Sequence, residues 1–226
     1  DPLCEKYHSV SPYAYCHNNP VNRIDPDGRD DYYSVGGQFL FRDSKKTDRI
    51  IIRDLVSYST KQQGWEFGPN PDTPIEQTVL SAEAYSKIFT NILSEMKDVD
   101  IYLLHNQSVS FVFSPNDYDI ESTFNDPYSA FSSEGVVNAA TQHLNGVKKI
   151  TACINYLGAS DNRKLFATLS NVQNLLGVHE YIGHGVKGWS GSNHKLVYKN
   201  QFKHPSWKRT TGYFKRQELS NYQKVK

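Results

Sequence analysis

Asn171–Gly185 reads Asn-Val-Gln-Asn-Leu-Leu-Gly-Val-His-Glu-Tyr-Ile-Gly-His-Gly, and the reading of this stretch decides the fold. Val172, Leu175, Leu176, Tyr181 and Ile182 supply an apolar face, so the segment is expected to be a helix that approaches the core. It carries His179 and His184 five positions apart, with Glu180 between them. On an ideal α-helix, positions i and i+5 differ by about 140° of rotation, so the two imidazoles would diverge. A local i→i+5 irregularity brings them back to one side. Gly183 sits where such a distortion is cheapest.

Two histidines that flank an acid inside an apolar helix are hard to explain as packing. In the familiar zinc-peptidase arrangement, histidines at i and i+4 share a helix face and the intervening glutamate is the general base. His179-Glu180-Tyr181-Ile182-Gly183-His184 is one residue longer and resembles the His-Glu-x-x-Gly-His motif of the dipeptidyl peptidase III family. It also resembles a motif found in toxin tips of Bacteroidetes-type RHS (rearrangement hotspot) proteins. The resemblance implies Zn2+ held by His179 and His184, with Glu180 as the catalytic base. The dipeptidyl peptidase III likeness is confined to this motif, and that family takes its third ligand from a downstream glutamate. Downstream candidates here are His194, His204 and Glu218. His194 is favoured because it opens the expected helix Asn193–Pro205 after a loop, as third zinc ligands commonly do. His204, beside Pro205, reads more simply as a capping or surface residue.

Residues 1–31 form a unit of their own, rich in turn dipeptides: Asp1-Pro2, Asn19-Pro20, Asp25-Pro26 and Asp27-Gly28. Ser11-Pro-Tyr-Ala-Tyr-Cys16, Asn18-Asn-Pro-Val-Asn22 and Asp25-Pro-Asp-Gly28 closely resemble the end of an RHS repeat-associated core. That resemblance implies a β-rich remnant at 1–31, followed by a variable toxin domain at 32–226. It also implies release by self-cleavage near Gly28, secretion or delivery to a target cell, and a cognate immunity protein as partner. The chain opens on Asp1-Pro2 rather than Met, so a piece of a longer polypeptide is expected.

Composition narrows the alternatives. Hydrophobic residues at 38%, with 15 Tyr and 11 Phe, give enough apolar surface for a globular core. No apolar run reaches the roughly 20 residues of a membrane span. A net charge of +1 argues against a nucleic-acid partner. The charge is uneven, however: ten Lys/Arg against one acid from Lys187 onward. This tail either meets an acidic partner or folds back on the acidic body with a solvated face. Cys4, Cys16 and Cys153 are too few and too scattered for a disulfide framework.

The remaining pattern predicts strands at Gln38–Arg42 and Arg49–Val56 joined by the polar turn Asp43–Asp48. A helix is expected from Ser81, with Ala84, Tyr85, Ile88, Phe89, Ile92, Leu93 and Met96 as its inner stripe. Asp100–Leu104 and Val109–Phe113 read as a hairpin, and Val147–Leu157 as a further strand. Part of that strand, Lys149–Leu157, is the expected edge strand beside the metal, pairing with substrate by strand addition. The expected class is α+β and zincin-like: a mostly antiparallel sheet with a metal-binding active-site helix. The leading function is a zinc-dependent peptidase-like toxin acting on a protein or peptide substrate. The alternatives are a nuclease-type RHS toxin and a zinc-stabilised tip that only binds.

Overall fold

The computed structural model describes residues 29–59, 64–67, 72–99, 109–114, 139–144, 147–153 and 163–225. The expected remnant up to Gly28, the strand Asp100–Leu104 and the end of the strand after Cys153 lie outside the described residues. The described chain is mixed α and β. Three sheets form: β2-β1-β3-β6, β4-β5 and β7-β9-β8. Their strands are β1 (Asp31–Ser34), β2 (Phe39–Arg42), β3 (Ile50–Arg53), β4 (Leu55–Ser59), β5 (Gly64–Phe67), β6 (Thr73–Pro74), β7 (Val109–Ser114), β8 (Ala139–Leu144) and β9 (Val147–Cys153). The helices are α1 (Ala82–Ser94), α2 (Leu169–Val172), a π helix (Gln173–Val186), α3 (His194–Lys203), α4 (Pro205–Arg209) and α5 (Gly212–Lys224). Among the described residues no helix is long and apolar enough to cross a membrane.

The larger sheets are mixed, since β1 pairs with β3 and β7 pairs with β9 in parallel. Asp43–Asp48 is accordingly not a hairpin turn. It carries the chain past β1, which lies between β2 and β3. Asp30 organises this crossing: its carboxylate accepts from Thr47 Oγ1 and from the Arg49 amide at 2.9 Å. Asp31 is fully buried beneath Arg42, which also reaches Glu95 at 2.9 Å. A buried carboxylate is tolerable only with such a partner.

α1 forms as its spacing predicts. Ser81 Oγ accepts from the Ala84 amide as N-cap, and all seven residues of the expected stripe are buried. They pack with Tyr33, Ile50 and Ile52 of the first sheet and with Phe166, Val172 and Leu176 ahead of the motif. Phe89 stacks on Phe166 with centroids 5.5 Å apart.

The motif helix is tied down at its start. Thr168 caps α2 by accepting from the Asn171 amide, and Asp48, at φ 59°, accepts from the Ser170 amide at 2.9 Å. Asn171 Oδ1 accepts from the Thr211 amide at 3.0 Å, fastening the start of α5 to the same helix. The basic tail thus folds back on the body: Val197, Tyr198, Gln201, Phe214 and Glu218 are buried while Lys195, Lys199, Lys203 and Arg216 face solvent. Pro205 stops α3 by opening α4, and His204 accepts from the Ser206 amide as the N-cap of α4. His204 is therefore a capping residue, for the helix after it rather than the one before.

Candidate metal centre

The backbone accommodates the extra residue between His179 and His184 with more than a one-turn bulge. The whole stretch Gln173–Val186 is π-helical, and it closes with the Lys187 amide bonded to the Ile182 carbonyl at 2.9 Å. The wider turn puts i and i+5 on one side, so the imidazoles of His179 and His184 lie 5.1 Å apart, centroid to centroid. Gly183 has a different reason than backbone distortion alone. A Cβ there would meet Val197 Cγ1 at 2.6 Å, so the missing side chain is what lets α3 pack against the π helix.

That close approach delivers His194 from the first turn of α3. Its ring lies 5.4 Å from His179 and 4.8 Å from His184, and one ligand atom from each histidine falls within 4.8 Å of the others. His194 Nε2 and His179 Nε2 are 3.3 Å apart. Ligand nitrogens at about 2.0–2.1 Å from a tetrahedral zinc would be about 3.3–3.4 Å apart, so this pair already has the edge length such an ion needs. Three imidazoles suit zinc and its transition-metal neighbours and are poor ligands for calcium or magnesium, which take oxygens.

Hydrogen bonds set the tautomers. The Trp189 carbonyl lies 2.5 Å from His184 Nδ1, and a carbonyl can only accept, so Nδ1 carries the proton and Nε2 keeps its lone pair. His179 Nδ1 lies 2.9 Å from Gln201 Oε1, and Gln201 Nε2 donates to Glu218 Oε2 at 2.8 Å. Burial holds all three histidines below their ordinary pKa, His194 at about 4, so they are neutral and able to ligate near neutral pH.

Glu180 is buried and points to β8, where Thr141 Oγ1 donates to its Oε2 at 2.7 Å. Burial raises its pKa to about 7, and the Thr141 bond partly opposes that rise. Tyr198 stacks on His194 at 5.2 Å and meets the edge of His179 at 4.7 Å. Its phenol is pushed up by burial and by the nearby Glu218 and Glu180 carboxyls.

The other expected candidates fall elsewhere. Glu218 stands behind His179, 3.9 Å from Nδ1 on the side away from the histidine cluster, and burial raises its pKa to about 7. His204 lies against Asp98 at 3.5 Å and Ser206 at 2.8 Å. β9, which holds most of the expected edge strand, is instead the central strand of its sheet, with β7 and β8 on either side. β8, its neighbour and an outer strand among the described residues, is the one beside Glu180. Tyr198, Gln201 and Thr141 were not anticipated. His194, Tyr198 and Gln201 lie at i, i+4 and i+7, one helix face, so the first two of these were legible from the spacing; Thr141 carries no such mark. Comparison of the chain with family models, curated proteins and solved structures finds no match.

Proposed function

We propose that the chain is a zinc-dependent peptidase-like effector domain that hydrolyses peptide bonds. The observation that carries this reading is the convergence of His179, His184 and His194, with Glu180 buried next to the first of them. The three histidines would hold the ion through one ring nitrogen each. A zinc ion so held supplies Lewis acidity, lowering the pKa of water toward about 7 and polarising a carbonyl oxygen. Glu180 is the group that takes a proton during attack on the carbonyl carbon and passes it to the leaving amine. In the metal-free chain burial raises the Glu180 carboxyl to about 7, and a bound cation would lower it, leaving the carboxylate ionised to take that proton. Thr141 holds the carboxylate in place from β8. An extended peptide would pair with the outer edge of β8, passing next to Glu180. This helix-beside-strand arrangement is the basis for a zincin-like assignment.

By the resemblance of residues 1–31 to the end of an RHS core, the domain would be the tip of a larger effector. It would be delivered to a target cell, with an immunity protein protecting the producer. Among the described residues the cluster contains no carboxylate ligand, which favours peptide hydrolysis over a metal-dependent nuclease.

The test combines elemental analysis with casein and plasmid digestion, for the wild type and for Glu180→Gln. Zinc at one per chain in both proteins is expected. Casein cleavage should be lost with a chelator and reduced roughly two to four orders of magnitude in the variant. Full activity in a zinc-loaded Gln variant would remove the peptidase mechanism, and plasmid cleavage alone would favour the nuclease.

A further inference from the structure

An imidazole offers a metal only the ring nitrogen that carries no proton, so whatever fixes the tautomer decides whether the residue is a ligand at all. His184 is fixed by a carbonyl, which has one possible role. His179 is not. Its Nδ1 faces a glutamine side chain, and an amide can accept through oxygen or donate through nitrogen. With the NH2 end toward His179, the ring would be driven to the Nε2–H form, and its metal-facing nitrogen would be blocked.

Glu218 decides between the two. Gln201 Nε2 donates to Glu218 Oε2 at 2.8 Å, which turns Oε1 toward His179 Nδ1 at 2.9 Å. His179, Gln201 and Glu218 are 5%, 0% and 2% exposed, so bulk water has little access to replace either partner. The three come from separate elements, the π helix, α3 and α5, and their alignment exists only because the tail folds back on the motif. Metal-bound histidines elsewhere commonly hand the second nitrogen to a carboxylate or carbonyl directly. Here an amide stands between, and its direction carries the information.

We propose that Gln201 and Glu218 are positioning residues that lock His179 in the Nδ1–H tautomer and thereby make its Nε2 available as a ligand. The inference rests on the metal-centre reading for its purpose, but the tautomer it asserts belongs to the metal-free chain. His194 Nε2, 3.3 Å from His179 Nε2, then donates to that lone pair when no ion is present, and an ion can take both nitrogens once the His194 proton has moved to its Nδ1.

The experiment uses the 226-residue chain, freed of metal and labelled with 15N, in long-range 1H–15N NMR of the imidazoles, followed by zinc titration. The wild type should show His179 with hydrogen on Nδ1. Gln201→Met keeps the volume and removes the amide, so His179 should become a mixture or turn to Nε2–H, and zinc affinity should fall about 10–100-fold. The exchanged pair, Gln201→Glu with Glu218→Gln, keeps an acceptor toward His179 and a donor toward the new carboxylate. It should restore the Nδ1–H form and most of the affinity, which a merely space-filling role would not predict. A wild-type His179 with hydrogen on Nε2 overturns the proposal, as does a folded Met variant that keeps the Nδ1–H form and full affinity. Should the Met variant fail to fold, the wild-type tautomer and the exchanged pair still decide. Failure of the wild type to bind zinc would instead remove the metal-centre reading, with the tautomer result standing on its own.

Discussion

Thr141 on β8 donates to the carboxylate of Glu180, the proposed base, and this bond has a readable electrostatic effect. The hydroxyl donates to the ionised carboxylate and so opposes the rise in pKa that burial produces. Thr141→Val should therefore raise the pKa of Glu180 and move the acid limb of the pH–rate profile for casein cleavage to higher pH. An unmoved limb would show that the bond does not act on the carboxyl that sets this limb. His194 gives a second residue-scale test, in metal-free protein. Its folded pKa is about 4, whereas an unfolded histidine titrates near about 6.5. Between these values the unfolded chain binds a proton that the folded chain does not, so stability falls as pH drops through that window. Glu180 and Glu218, raised to about 7, work the other way: the folded chain holds their protons, and their contribution weakens as pH rises from about 4.3 to 7. Comparing the wild type with His194→Gln isolates the histidine. In urea unfolding with chelator present, the variant should lose less stability than the wild type between about pH 6.5 and 4.

The π helix and α3 are joined at the scale of whole elements by Gly183 and Val197. Val197 is fully buried, and its branched side chain has no flexible end to move aside for a new Cβ at 2.6 Å. Gly183→Ala should cost about 1–3 kcal/mol by overpacking. More specifically, it should push α3 outward and carry His194 away from the other two histidines, weakening zinc retention. Adding Val197→Ala makes room and should return part of the affinity, even though the pair leaves a less well-filled core. Equal affinity in Gly183→Ala and the wild type, measured by zinc titration, would separate the glycine from the site. The contrasting case is Gly177, whose added Cβ would meet Met96 Sδ at 2.4 Å, the far end of a pliable side chain.

Over the whole molecule, the basic tail is part of the core rather than an appendage. α5 buries Phe214 and places Glu218 behind the site, and Asn171 bonds to its cap. Deleting a buried Phe side chain alone costs about 3–5 kcal/mol, a large share of the 5–15 kcal/mol that holds a typical domain together. A chain ending at Thr210 should therefore lose its cooperative thermal transition and any capacity to bind zinc together. A truncated chain that melts sharply and still binds zinc would show that the tail is dispensable to both.

The sequence by itself determined the local features. The apolar spacing of Ala84 to Met96 made α1 and its buried face, because a 3.6-residue repeat leaves few other ways to hide that surface. The five-residue interval from His179 to His184 demanded a widened helix, because a regular one would send the rings apart. His194, one of three downstream candidates, was favoured for its place at the start of a helix after a loop. Pairing between distant segments was less legible. Short strands such as Asp31–Ser34 carry too little alternation to announce themselves, so the insertion of β1 between β2 and β3 was missed. β8 was missed as well, although Asn145-Gly146 between β8 and β9 is a two-residue hairpin sequence; their pairing sets Thr141 beside Glu180. Only the tertiary structure decided that Glu218 stands behind His179 rather than beside His184 and His194. Its position depends on where α5 docks, and that is set by buried contacts at Phe214 and Asn171, not by any spacing along the chain.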